Sequence, residues 1–228
     1  GSSVNYNDLQ QKFMNSIFVG NDELSSKVIV NALDSGADAF KLLTDVFLPT
    51  INTINELNSR GRLNRAERIN FEGVILEILD FVKYHTYIGE KRPDISALVI
   101  SGSEDTIIHA KLINLSLRLG NCDTRYMGNL EGVLDPFFDI DFQRYVTKLW
   151  GNRKGSIIVC VCSSQESSLR FFYSAAVELR NKLAARVILC LMTIGELVDT
   201  HGFENADRVT DNPFELLVWL RDFLPKLE

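Results

Sequence analysis

The stretch "VISGSEDTIIHAK", residues 99–111, decides the fold class of this chain. Apolar residues lead to Gly102, and a helical pattern starts almost at once behind it. A buried strand that runs into a helix is typical of open α/β proteins, which hold their ligands at such turns. The turn and the start of the helix contain four polar candidates: Ser103, Glu104, Asp105 and His109.

The remainder of residues 91–228 repeats this alternation. Apolar runs that predict strands occupy residues 97–101, 122–127, 157–162, 187–192 and 208–209. Helical patterns occupy residues 106–119, 137–150, 166–183, 194–200 and 213–224. Strands that alternate with helices indicate a parallel sheet covered on both faces. We therefore predict an α/β domain with a five-stranded parallel, flavodoxin-like doubly wound sheet.

Residues 4–90 show only helical periodicity. Four amphipathic segments follow one another and stop near glycines, the usual helix terminators. The third spans residues 38–59, where Pro49 is expected to bend it. A charged, proline-containing joint at residues 90–96 follows. We predict a four-helix bundle cap in residues 4–90, ahead of the α/β domain.

Composition limits the function classes. The 228 residues are 46% hydrophobic, with a net charge of -6. An acidic chain disfavours direct nucleic-acid binding, which relies on clustered Lys and Arg. No apolar run approaches the ~20 residues of a membrane span, and no secretory signal is recognisable at the start. The four cysteines form no C-x-x-C pair and suit buried reduced thiols, so a cytoplasmic protein is expected.

A bundle followed by a five-stranded parallel domain resembles the cobalamin-binding module of methionine synthase, corrinoid methyl carriers and light-sensing transcriptional regulators. Residues 31–63, "NALDSGADAFKLLTDVFLPTINTINELNSRGRL", are similar to the cap of that family. Residues 205–224, "NADRVTDNPFELLVWLRDFL", are similar to its last strand and helix. The resemblance covers nearly the whole chain and implies a helical cap over a Rossmann-like domain.

The ligand motifs of that family are not reproduced here. Its first loop carries Asp-x-His-x-x-Gly, in which the His coordinates cobalt and the Asp orients the His. The corresponding residues are Ser103, Asp105 and Ile108. The family's Gly-Gly after the fourth strand aligns with Cys190 and Leu191, which would crowd the nucleotide tail. The family's Ser-x-Leu after the third strand is matched only in its serine, by Ser163 or Ser164.

The cap departs in the same way. Light-sensing members carry a Trp, then nine intervening residues, then Glu-His above the corrin. The matching positions here are Leu57, Glu67 and Arg68, of which only the Glu agrees. A loop rich in arginine, residues 59–68, offers a local basic patch or a solvated connection.

Two candidates have structural alternatives. His109 is a haem or metal ligand, or a helix histidine satisfied by a backbone carbonyl. Glu104 and Asp105 belong to a ligand site, or they stabilise the start of a helix. Neither a nucleophile–His–acid set nor a phosphate loop is visible, so we predict no catalytic and no metal-ligating residue.

We therefore predict a non-enzymatic sensory or regulatory module that acts through protein–protein interaction and rearrangement of cap against α/β domain. The cofactor is unknown: none, haem or cobalamin. The alternatives are a haem- or corrinoid-binding sensor without the family histidine and, third, a corrinoid methyl carrier. A protein partner is expected, a homo-oligomer stays open, and no membrane is involved. The candidate cofactor-binding residues are Ser103, Asp105, His109, Ser163, Leu57, Glu67 and Arg68.

Overall fold

The structure is a computed structural model that describes residues 3–86, 89–195 and 201–227. It divides into two compact units, Gly1–Tyr87 and Ile88–Glu228. No helix within the described ranges is both long enough and apolar enough to cross a membrane.

The first unit is a bundle of amphipathic helices. They are α1 (Tyr6–Phe18), α2 (Asp22–Asp34), α3 (Ala39–Leu42), α4 (Leu48–Ser59) and α5 (Arg65–His85), with a π-helical stretch at Leu43–Phe47 between α3 and α4. Four of them begin at an Asn or Asp whose side chain accepts a hydrogen bond from a backbone N–H three residues on: Asn5, Asn21, Asp38 and Asn64. Such caps fix where each helix starts.

The irregularity predicted at Pro49 takes the form of the π-helical stretch. Pro49 is the second residue of α4, and residues 39–59 stay helical throughout. A proline cannot donate to the carbonyl four residues back, and its ring crowds that carbonyl, here on Asp45. A wider turn before the proline relieves this conflict, because π-helical bonds span one residue more.

The bundle core joins α1 to the other helices. The ring of Phe13 meets the ring of Phe47 edge-on, with centroids 5.1 Å apart, and both are fully buried. The Ser16 and Ser25 hydroxyls hydrogen-bond at 2.7 Å between α1 and α2. These two buried hydroxyls are therefore paired across helices, which helps to fix the register of α1 against α2.

The second unit confirms the predicted α/β fold. Its strands are β1 (Ile95–Ser101), β2 (Asp123–Asn129), β3 (Ser156–Cys162), β4 (Arg186–Met192) and β5 (Arg208–Thr210). Its helices are α6 (Ile107–Leu119), α7 (Pro136–Trp150), α8 (Glu166–Arg180) and α9 (Pro213–Phe223). All strand pairs are parallel, in the order β2-β1-β3-β4-β5. This is the flavodoxin-like order.

Each face of the sheet has its own packing. Val159, Val161 and Leu189 point toward α7 and α8, where they join a large apolar cluster. Successive side chains on a strand alternate, so the cysteines between them, Cys160 and Cys190, point to the other face. The two cysteines are register partners, and the Cys160 thiol and burial together raise the pKa of Cys190. All four cysteines are free and buried.

Several element boundaries differ from the prediction by one to three residues. Strand β2 runs two residues further than its apolar run, because it is an edge strand with half-exposed side chains and a weak hydrophobic signal. The helix predicted at residues 194–200 lies largely outside the described residues. Asn212 caps α9, because its side chain accepts from the amide of Glu215 at 3.2 Å.

Candidate functional site

The loops that follow β1 and β3 meet at the carboxyl edge of the sheet. Strand β1 lies between β2 and β3, so chain connections leave it in opposite directions. In open α/β sheets this switch point is where ligands bind. Here the two loops touch: the amide of Gly102 donates to the carbonyl of Cys162 at 2.8 Å. The sequence therefore places its polar residues at the position that the fold uses for ligands.

Four side chains tie these loops together, and we call them the loop network: Ser103, Asp105, Thr106 and Ser164. The Ser103 hydroxyl donates to Asp105 Oδ1 at 2.6 Å and accepts from the amide of Ser164 at 2.9 Å. The Ser164 hydroxyl donates to the same Asp105 oxygen at 2.8 Å. Thr106 Oγ1 donates to the Cys162 carbonyl at 2.9 Å. One carboxylate and three hydroxyls thus connect two loops.

The loop network has a buried side and an exposed side. Ser103 and Thr106 are almost fully buried, whereas Asp105 is half-buried and Ser164 is exposed. Breaking the hydrogen bond of a buried hydroxyl costs free energy, because the hydroxyl is then left without a partner and away from water. The outer bonds, between Asp105 and Ser164, are consequently those that a ligand or partner reaches first.

Gly102 is required by the close approach of the loops. A Cβ at this position would lie 2.6 Å from Cβ of Ser168 and 3.0 Å from Oγ of Ser163. The Ser168 hydroxyl in α8 donates to the Gly102 carbonyl at 3.0 Å. Ser163 itself accepts from the Gln165 amide at 3.0 Å, a local turn contact. The space beside Gly102 is filled by the protein's own side chains.

Glu131 joins a third loop to this edge. Its Oε2 accepts from the amide of Glu104 at 2.7 Å, and its Oε1 accepts from the Gln165 side chain at 2.9 Å. Glu131 follows β2, so loops from three strands are linked by side chains.

His109 lies in the core and not on the ligand-facing edge. Its side chain is 1% exposed, and its Nδ1 is buried without a hydrogen-bond partner among the described residues. Burial lowers the pKa of His109 to about 4, against the opposing effect of the Asp105 carboxylate and backbone. At neutral pH the imidazole is therefore uncharged.

The three cap candidates lie in the first unit. Glu67 forms a capping box with Asn64, because each side chain accepts from the other residue's amide. Arg68 is 5% exposed and donates to Glu72 Oε2 at 2.9 Å. Leu57 is half-buried near the end of α4, where its carbonyl accepts from two following amides. Glu67 and Arg68 thus have structural partners of their own.

Of the predicted site residues, Ser103 and Asp105 meet directly, Ser163 lies against Gly102 and His109 lies beneath Asp105. Sequence analysis missed the role of Thr106, and it named Ser164 only as an alternative. Both carry hydroxyls just beyond the carboxyl ends of neighbouring strands, a signal that could have identified them.

Comparisons with known proteins identify the fold. No protein-family model and no curated protein sequence matches this chain. A monomethylamine corrinoid protein from Methanosarcina barkeri matches with a TM-score of 0.70 and 13% identity, over 95% of this chain and 98% of that one. The chain therefore has the fold of a cobalamin-binding module, a helical cap followed by a flavodoxin-like domain.

Two further solved structures match with lower scores. A methanol:cobalamin methyltransferase complex from Methanosarcina barkeri has a TM-score of 0.45 and 11% identity, over 96% of this chain and 80% of that one. A cobalamin-binding protein from Desulfitobacterium hafniense has a TM-score of 0.48 and 14% identity, over 97% and 99%. The likeness of fold rests on the first structure alone.

The residues at the carboxyl edge do not fit a cobalamin whose cobalt is held by a loop histidine. Asp105, at the ligand position, is engaged with Ser103 and Ser164. Ile108, where the resemblance expects glycine, is buried. Cys190 and Leu191 are interior residues of β4 with no exposed surface. Within the described ranges, no group of three or more His, Cys, Asp or Glu side chains is placed to hold a metal ion.

Proposed function

We propose that this protein is a non-enzymatic regulatory module that changes conformation at the carboxyl edge of its sheet and is recognised by a protein partner. The loop network is the observation that supports this most. Asp105 and Ser164 are accessible, yet they hold the loops after β1 and β3 together. A group that competes for the Asp105 carboxylate separates the loops, so two arrangements of one element have different affinities for a ligand.

The chemistry of this edge favours a small polar ligand or a partner side chain. Asp105 offers a carboxylate, and Ser164 a hydroxyl, at a rim that also contains Glu131. A cationic or hydrogen-bond-donating group replaces the bonds that it breaks, which keeps the cost of opening low. Such a ligand biases the loops without any covalent step.

The first experiment tests the switch itself. We expect Ser164→Ala to speed hydrogen exchange at residues 102–106 and to change the rate of tryptic cleavage after Lys91, in the joint before β1. Ser59→Ala, on the exposed end of α4, is the matched control and changes neither. Faster exchange with unchanged cleavage at Lys91 would contradict a switch that reaches beyond the loops.

A second candidate function is a corrinoid- or haem-binding sensor. It is favoured by the 0.70 TM-score against the monomethylamine corrinoid protein. Because no loop histidine stands at the ligand position, either cofactor would be held without that axial ligand. His109 reaches a cofactor only if the core beneath Asp105 opens.

An absorption spectrum separates the two candidates. The protein is incubated with aquocobalamin or haemin, and free cofactor is removed by gel filtration. The regulatory proposal expects neither corrin bands nor a Soret band to be retained. Bands retained at one cofactor per chain would contradict the regulatory proposal and support the cofactor-binding sensor instead. Methyl transfer from a methylated corrinoid to a thiol acceptor would overturn the non-enzymatic assignment.

A further inference from the structure

Three cationic side chains surround Asp123, the first residue of β2. Its Oδ1 lies 3.1 Å from Nη1 of Arg125 and 3.6 Å from Nζ of Lys91. Its Oδ2 lies 3.2 Å from Nη1 of Arg153. The cations come from different parts of the second unit, because Lys91 precedes β1, Arg125 lies in β2 and Arg153 follows α7. We call these four residues the Asp123 cluster.

The Asp123 cluster holds more positive charge than its acid balances. Three cations face one carboxylate, so two positive charges are left over, in a chain whose net charge is -6. Burial raises the pKa of Asp123, but the hydrogen bond from Arg153 and the charges of Arg125 and Lys91 lower it more. The pKa of Asp123 therefore lies below its ordinary value, as expected at a point of positive potential.

The charged neighbours of the cluster do not cancel this excess. Asp94 accepts from Arg92 Nη2 at 2.7 Å and from Arg92 Nε at 3.2 Å, so these two residues balance each other. Glu90 and Lys154 are next to the cluster in the sequence, are both exposed and are opposite in charge. The positive surplus of the Asp123 cluster therefore remains.

Two cations of the cluster have N–H groups that point away from protein partners. Lys91 is 59% exposed, and its nitrogen is too far from Asp123 for a hydrogen bond. Arg125 is 44% exposed, and among the described residues only its Nη1 has an acceptor. Arg153 is 27% exposed and also donates from Nε to the carbonyl of Pro93 at 3.2 Å. Arg153 is thus fixed in place, while Lys91 and Arg125 offer donors to the solvent.

We propose that the Asp123 cluster binds a doubly charged oxyanion, such as the phosphate group of a small molecule. Arg binds phosphate through paired N–H donors and Lys binds it as a point charge. A dianion compensates the two surplus charges, whereas a monoanion leaves one of them. Because Lys91 lies in the joint before β1, the bound anion links that joint to β2. The site lies at the amino ends of the strands, opposite the loop network, and does not rest on the function proposed there.

Isothermal titration calorimetry on the full chain tests this site. The probes are inorganic phosphate, pyrophosphate and acetate, at one constant ionic strength because salt screens exposed charges. We expect phosphate or pyrophosphate to bind at one site per chain, and acetate not to bind. Arg125→Met and Lys91→Met should each weaken binding about tenfold, which corresponds to ~1.4 kcal/mol. Both side chains are exposed, so thermal unfolding of the two variants should match that of the wild type.

Arg186→Met is the matched control, because it removes the same charge from an exposed residue at the start of β4. Strands β4 and β2 are three strand spacings apart, about 14 Å. Binding should be unchanged in this variant. Equal losses in Arg125→Met and Arg186→Met would mean that only net charge matters and would overturn the proposal.

Two other results would also reject this site. Wild-type protein that binds neither phosphate probe would show that the cluster serves Asp123 alone, without affecting the loop network, which is tested by hydrogen exchange. A short single-stranded oligonucleotide that binds more tightly than pyrophosphate, with the same loss in Arg125→Met, would assign the surface to nucleic acid instead of a small molecule.

Discussion

Ser164 donates a 2.8 Å hydrogen bond to Asp105 although 59 positions separate them in the chain. The bond joins the loop after β3 to the loop after β1, at the point where the flavodoxin-like strand order reverses. Open α/β sheets commonly have a ligand-binding crevice at this switch point. In this protein Ser103, Asp105 and Ser164 join the two loops across it. This relationship sets the first prediction.

Ser164→Ala should cost about 1 kcal/mol of unfolding free energy, the usual net value of one hydrogen bond. The Ser164 amide still donates to Ser103, so the closed arrangement of the loops should remain the main one although it opens more often. Urea denaturation measures the loss. A change several times larger would mean that the whole loop network depends on one hydroxyl.

Gly102→Ala and Gly73→Ala should have opposite effects. The new Cβ at Gly102 meets Ser168 at 2.6 Å, which should cost about 1–3 kcal/mol through displacement of packed groups. Gly73 is inside α5 with nothing within 4 Å of a Cβ, so alanine should add about 0.5–1 kcal/mol. Thermal unfolding of both variants checks the signs, and a stabilising Gly102→Ala would contradict the contact.

His109 should make folding stability depend on pH. Burial lowers its pKa from the ordinary 6.5 to about 4, so the unfolded chain takes up a proton before the folded one. Its contribution is complete above pH 6.5 and is lost as the pH falls toward 4. The change amounts to about 3 kcal/mol, at ~1.4 kcal/mol for each pKa unit.

His109→Leu is the comparison that isolates this effect. Leucine is apolar and of similar volume, and it removes the buried Nδ1 that has no partner among the described residues. Denaturation at pH 7.5 and at pH 4.5 should show wild type losing more stability than the variant. Parallel pH profiles would mean that His109 is solvated or paired in solution.

The buried pair of Arg68 and Glu72 should be costly to break. Their side chains are only 6% and 7% exposed. Arg68→Met leaves the carboxylate buried with its main charge partner removed and should cost about 3–5 kcal/mol, whereas Arg68→Met with Glu72→Leu should cost less. The exposed pair of Lys12 and Asp8 is the control, where Lys12→Met should change stability by under about 1 kcal/mol. Equal losses in the single and double variants would contradict the coupling.

The fold could be predicted because its signals are local. The strands β3 and β4 are continuous apolar runs that are fully or almost fully buried, and they alternate with helices. This pattern is typical of a parallel sheet covered by helices on both faces. The weakest signal belongs to the short edge strand β5, and the other edge strand, β2, was predicted only in part, because half-exposed side chains do not form a long apolar run.

The candidate site was predicted less completely. Ser103 and Asp105 were found by their place after β1, but Ser164 acts on them from another strand. Such contacts depend on the register of β1 and β3, which no short motif encodes. The burial of His109 and of the Arg68–Glu72 pair depends in the same way on tertiary packing, although the i,i+4 spacing of that pair is local.

The π-helical stretch at Leu43–Phe47 affects how faces of this bundle are assigned. A π-helical turn contains more residues than an α-helical turn. Side chains before and after the stretch therefore do not follow a single spacing of 3.6 residues per turn. A helical wheel drawn through residues 39–59 would rotate the α4 side chains away from their true direction. Any redesign of the bundle surface should therefore count angles from Leu48 onward, and deletion of one residue inside the stretch should restore a regular α-helix while Ile51 and Ile54 keep facing the bundle core.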